Sequence, residues 1–127
     1  MRNFLATILS VGLFILACND DKKTAPADES DSSANVSANP DYTKGLKLVA
    51  GSDCFTCHLV DERINGPSYR EVANKYAGKS DTTLSYLAGK IITGGSGVWG
   101  PVMMTPHPDL SKEDAEAMVK YVLLLKK

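Results

Sequence analysis

From its N-terminus the chain is first apolar, then polar, and only later shows amphipathic periodicity. Positions 4–17 form an apolar run of 14 residues, interrupted by Thr7, Ser10 and Gly12. Positions 19–40 are rich in Asp, Ser, Ala, Lys and Asn, with Val36 the only large aliphatic residue. Such a segment cannot bury enough apolar surface to offset its ordering entropy, so disorder is expected. Helical patterns follow. Asp41 can cap a helix running to about Gly51, with Leu46, Val49 and Ala50 on one face. Ser68 and Glu71 make an S-x-x-E capping pair after Pro67. Tyr69, Val72, Ala73 and Tyr76 then recur at i, i+3, i+4 and i+7, and Gly78 is a stop. Asp81 opens a third helix striped with Leu84, Leu87, Ala88 and Ile91, ending at Gly94-Gly95. Ser111 caps a last helix whose apolar face is Ala115, Met118, Val119, Val122 and Leu125.

No stretch alternates like a strand with hairpin turns, so the pattern predicts an all-α domain of about four helices. Two irregular connections remain, Phe55 to Pro67 and Gly94 to Leu110. A long Gly- and Pro-rich loop in so small a domain is usually functional or disordered. Val98, Trp99, Val102, Met103 and Met104 argue against disorder in the second connection. They need a surface to pack on, and no helix face obviously offers one.

Length and charge narrow the picture. The chain of 127 residues divides into a signal (1–17), a tether (18–40) and one domain (41–127). A domain of that size buries a modest core and is often completed by a metal, a disulfide or a cofactor. Aromatics are only 7% of the chain, so a large buried cofactor would supply missing apolar bulk. The domain carries 11 Lys+Arg against 10 Asp+Glu, and the tether two Lys against five acids. That field is too weak to indicate nucleic acid or strong electrostatic steering.

The N-terminal run is short for a membrane span and typical of a signal. It ends Ile15-Leu16-Ala17-Cys18, which resembles the lipobox of bacterial lipoproteins. The resemblance implies cleavage before Cys18 and lipid on its sulfur and amino group, and two or three acyl chains anchor stably. An ordinary signal peptide would equally send the domain across the membrane.

Cys54-Phe55-Thr56-Cys57-His58 reads C-x-x-C-H, the signature of c-type haem attachment. Two residues between the thiols place both sulfurs along one porphyrin edge, and the adjacent histidine points its imidazole at the iron. C-x-x-C alone also fits a dithiol redox site or half a zinc site. A dithiol site wants a βαβ neighbourhood and zinc wants a second ligand pair, and the sequence offers neither. For a sixth ligand, Met118 falls on a core stripe, whereas Met103 and Met104 lie in the loop stiffened by Pro101, Pro106 and Pro108.

Four ordered stretches carry a family resemblance: C-F-T-C-H; Asn65-Gly66-Pro67-Ser68-Tyr69; Gly97-Val98-Trp99-Gly100-Pro101-Val102-Met103-Met104-Thr105-Pro106; and Val119-Lys120-Tyr121-Val122-Leu123. Together they resemble the short bacterial class I cytochromes c, periplasmic donors to terminal oxidases and nitrite reductases. The resemblance implies one covalent haem c on Cys54 and Cys57, with iron ligands His58 and Met104. It implies that the Pro67 carbonyl accepts from His58 Nδ1–H, and that Trp99 and Lys90 face a haem propionate. It also places His107 where the family often has asparagine near the methionine sulfur. A packed aromatic and a solvated charge are the plainer readings of Trp99 and Lys90, and a surface residue that of His107.

The expected function is monohaem electron transfer without catalysis, by a monomer held at a bacterial membrane through Cys18 with its domain in the periplasm. Its partners would be a terminal oxidase, a reductase or a quinol-oxidising complex. A haem ligand sensor or peroxidase-like protein is the alternative, and needs a displaceable sixth ligand.

Overall fold

A computed structural model describes residues 35–80 and 82–127. The expected signal, the Cys18 lipid site, tether residues 18–34 and the Asp81 helix start lie outside the described residues. Among the described residues no helix is long and apolar enough to cross a membrane.

Helix α1 spans Pro40–Ala50. Its cap is Asn39 rather than Asp41: the Asn39 side chain accepts from the Asp41 N–H at 2.9 Å. Proline at the first helical position has its φ preset and no N–H to leave unpaired, so the helix starts earlier. Asp41 instead lies in the first turn, facing the positive end of the helix dipole. Residues 35–37 form a helical turn ahead of it, where composition suggested disorder; the Asn39 N–H donates to the Val36 carbonyl at 3.1 Å. Ala50 is exposed, and the buried positions of α1 are Gly45 and Val49.

A 3-10 turn, Cys54–Thr56, leads into the first irregular connection. Helix α2, Tyr69–Tyr76, carries the full capping box: Ser68 Oγ accepts from the Glu71 N–H at 3.2 Å, and Glu71 Oε2 accepts from the Ser68 N–H at 2.8 Å. Helix α3 spans Thr82–Thr93 and α4 spans Lys112–Leu124, capped by Ser111.

The second connection is more ordered than its sequence suggests. Gly95–Gly97 (β1) and Gly100–Met104 (β2) pair antiparallel, with Val98 and Trp99 at the tip. Gly95, Gly97 and Gly100 all take positive φ. Glycines cannot show apolar–polar alternation, so the hairpin is silent in the hydrophobic pattern. The fold remains that of a helical domain with one short hairpin.

Helix α4 is the hub, with α1, α2 and α3 packed against it. Val49, Tyr69, Met118, Tyr121 and Val122 form one buried cluster, and Ala88, Ala115 and Val119 a second. The α1–α4 crossing is close because position 45 has no side chain: a Cβ there would sit 2.3 Å from the Ala117 carbonyl oxygen and 2.5 Å from Tyr121 Cβ. Tyr121, absent from the predicted stripe, is 1% exposed and meets the edge of Tyr42 at 5.1 Å between centroids. Burial, and next the neighbouring Tyr42, pushes its hydroxyl pKa up to about 12.

Candidate cofactor site

The tight turn at Cys54 determines how the C-x-x-C-H side chains are presented. The Cys57 and His58 N–H groups both donate to the Cys54 carbonyl, at 3.2 and 3.0 Å. Cys54 is half-buried and Cys57 exposed. Desolvation, followed by the charge of Asp53, raises the pKa of the Cys54 thiol.

His58 is held from three directions. Its Nδ1 lies 2.7 Å from the Pro67 carbonyl oxygen. A carbonyl only accepts, so Nδ1 carries the proton and the Nε2 lone pair is left for a ligand. Its ring stacks on Tyr69 at 5.5 Å and 12°. On another side is Gly66, where a Cβ would fall 2.4 Å from His58 Cε1 and 2.8 Å from Nδ1. The Gly66 N–H donates to the Cys57 carbonyl at 2.8 Å, which secures this approach. From sequence Gly66 is only a member of a motif, and Tyr69 a member of the same motif and a helix position; neither is marked as a neighbour of the imidazole, and a glycine before proline outside any helix is the available clue. Burial raises the Tyr69 hydroxyl far above its ordinary pKa, which keeps it neutral beneath the imidazole.

The hairpin brings in the sulfur donors. Met104 pairs with Gly95 and is half-buried, whereas Met103 is 67% exposed. Gly94, with φ +67°, lets the chain double back: a Cβ there would meet the Met104 carbonyl oxygen at 2.4 Å and the Pro106 nitrogen at 2.9 Å. At the hairpin tip Trp99 meets the edge of Tyr76, with Lys75 Nζ 4.6 Å and Arg63 Cζ 5.5 Å from its centroid. Arg63 is fixed in turn by Glu71 at 2.9 Å. Lys90 Nζ lies 5.8 Å from the Tyr86 ring centroid.

Cys54, Cys57, His58, Pro67, Lys90, Trp99, Met103, Met104 and His107 all line one cleft of about 210 Å³. Val49, Val72, Leu87, Ile91, Met118 and Val122 supply much of its apolar lining. Among the described residues no three His, Cys, Asp or Glu side chains gather as a metal site, which disfavours zinc on the C-x-x-C pair. An apolar slot with two thiols, an imidazole of fixed tautomer and a thioether suits a haem joined through its vinyl groups and ligated by nitrogen and sulfur. The loop residues Val98 and Val102, 50% and 63% exposed, border that slot, which answers what the apolar loop packs on.

His107 is not a free surface residue. Its Nε2 lies 2.8 Å from Asp53 Oδ1 and its Nδ1 3.3 Å from the Ile91 carbonyl oxygen. With both nitrogens engaged it offers none to a metal. The hydrogen bond from His107 holds the Asp53 carboxyl below the usual carboxylate range.

Comparisons with known proteins agree with this arrangement. The sequence model of the family described as Cytochrome c matches residues 42–126. Cytochrome c-552 of Nitrosomonas europaea is 43% identical over 79 residues, covering 62% of this chain and 76% of that protein. Cytochrome c-551 of Azotobacter vinelandii is 40% identical over 79 residues, covering 62% of this chain and 94% of its own. The crystal structure of wild-type Nitrosomonas europaea cytochrome c552 superposes with a TM-score of 0.59 at 42% identity, covering 64% of this chain and 99% of that one. The chain belongs to the cytochrome c family, with the class I fold, and its cofactor is a single covalently attached haem c.

Proposed function

We propose that this protein is a membrane-tethered electron carrier that exchanges single electrons with respiratory redox proteins. Cys54 and Cys57 would hold the haem through thioethers, His58 and Met104 would supply nitrogen and sulfur to its iron, and Cys18 would carry the lipid. The bound haem supplies an iron that alternates between ferric and ferrous. The chain positions its ligands and keeps water away. The observation that carries the reading is that His58, with Nε2 available, and Met104 line the same apolar cleft as the paired thiols.

Each residue has a defined task. The Pro67 carbonyl takes the His58 Nδ1 proton, which orients the ring and makes Nε2 a better donor. The thioether of Met104 favours ferrous iron relative to harder ligand sets. Its loop, constrained by Pro101 and Pro106, would keep similar geometry in both oxidation states, which would lower reorganisation. Lys90 and Trp99, at the cleft, would face the propionates. The apolar rim at Val98 and Val102 suits brief encounters with partners such as a terminal oxidase, a reductase or a quinol-oxidising complex. Lipid on Cys18 would hold the domain at a bacterial membrane, on the periplasmic side, as a monomer.

A carrier with a committed sixth ligand resists exogenous ligands. The ferrous protein at neutral pH is expected to bind carbon monoxide slowly or not at all; rapid stoichiometric binding would favour a ligand sensor. Mass spectrometry tests the tether separately. The mature chain should carry acyl mass that Cys18→Ser loses, and an unmodified wild type would remove the anchor from the proposal.

A further inference from the structure

Asp53 and His107 are 54 residues apart and meet beside the cofactor cleft. Asp53 immediately precedes Cys54, and His107 follows Met104 by three residues. We infer that this pair is a positioning device for the sulfur ligand, tying the Met104 loop to the segment that carries the first attachment cysteine. The inference rests on the reading that Met104 binds iron.

The geometry supports a device rather than a chance contact. His107 is fixed through its backbone and both ring nitrogens. Its backbone N–H lies 3.1 Å from each of the Ile91 and Ile92 carbonyl oxygens, at the end of α3. Its ring is held by the Ile91 carbonyl on one side and the Asp53 carboxylate on the other. The Asp53 carboxylate only accepts, so His107 Nε2 donates to it, and Nδ1 faces the Ile91 carbonyl oxygen. A hydrogen bond to a carboxylate is stronger than one between neutral groups, and the 67% exposure of Asp53 lets water screen part of that gain. Pro106 and Pro108 flank the histidine and restrict φ on either side of it. Only Thr105 and Pro106 separate His107 from Met104, so little slack exists between the latch and the sulfur.

The other end of the latch matters as much. Asp53 lies within the hydrogen-bonded turn of Cys54: its carbonyl accepts from the Thr56 N–H at 2.9 Å and from Thr56 Oγ1 at 2.7 Å. Cys54 is where the porphyrin is joined to the chain. The pair would therefore refer the sulfur's position to a point bonded to the cofactor itself, through one side-chain contact. In the haem-loaded protein this tie would keep the Met104 sulfur close to the iron.

The test uses ferric, haem-loaded protein and imidazole as a competing sixth ligand. Wild type, Asp53→Asn, His107→Ala and the double variant are titrated while the weak far-red band of sulfur-bound ferric iron is followed. Each single variant should bind imidazole about three- to tenfold more tightly. The double variant should go no further than the stronger single one, since either change already opens the latch. Asp53→Glu, which retains the carboxylate, should restore most of the wild-type affinity. Single variants with wild-type imidazole affinity, or effects that simply add, would overturn the inference while leaving Met104 as ligand. A wild type without the far-red band would instead overturn the Met104 reading, and the latch with it.

Discussion

Replacing Gly66 with alanine should damage the proximal side of the haem site more than a single methyl suggests. The new Cβ would stand 2.4 Å from His58 Cε1, 2.8 Å from Nδ1 and 2.9 Å from Nε2. Carbon atoms are in comfortable contact at about 3.5 Å, so the ring has to retreat by roughly 1 Å. It cannot do so without disturbing the 2.7 Å bond from Nδ1 to the Pro67 carbonyl or the stack on Tyr69. Overpacking costs about 1–3 kcal/mol and a lost hydrogen bond about 1 kcal/mol, a total of about 2–4 kcal/mol. For a domain of this size that lowers Tm by at least ~8 °C. If His58 ligates the iron as proposed, its stretched Nδ1 bond would make it a weaker donor to ferric iron, so the reduction potential should rise. Thermal unfolding and potentiometry of the haem-loaded Gly66→Ala protein measure both. An unchanged Tm together with an unchanged potential would refute the packing argument.

Other perturbations follow from the same structure. Gly45→Ala would drive a Cβ into the Ala117 carbonyl and Tyr121 at the α1–α4 crossing; backbone cannot step aside as a side chain can, so a loss of about 3 kcal/mol in guanidinium unfolding is expected, and a neutral effect would contradict the close crossing. Ser68→Ala removes the cap of α2 from a position 2% exposed and should cost about 1–2 kcal/mol in the same assay. Hydrogen bonds from Arg70 and Arg63 hold the Asp61 and Glu71 carboxyls below their ordinary range. A depressed carboxyl binds fewer protons folded than unfolded, so this stabilisation is present above about pH 4 and fades as pH falls further. Unfolding midpoints should therefore decline below about pH 4, less steeply in Glu71→Gln; identical pH profiles would contradict the pairing.

How much of this was legible depends on sequence distance. Helices α2 and α4 were readable with their caps because Ser68/Glu71 and Ser111/Asp114 lie three residues apart. The attachment motif was readable because its five residues are contiguous. The start of α1 was misplaced by two cap positions, since Asn39-Pro40 and Asp41 both carry capping chemistry and only the proline geometry decides. The hairpin was hidden by the glycines that form it. Gly45 under Tyr121, Gly66 under His58 and Asp53 beside His107 are pairs brought together by tertiary structure. A hydrophobic period carries no trace of them, although each shapes the site or the core around it.

Ligation of the iron by Met104 is tested most directly by a pair of optical spectra, of ferric haem-loaded wild type and of Met104→Ala. The wild type is expected to be low-spin with the weak far-red band of sulfur bound to ferric iron, and the variant to lose that band. A wild type without the band, or a high-spin one that takes up carbon monoxide readily on reduction, would contradict that ligation.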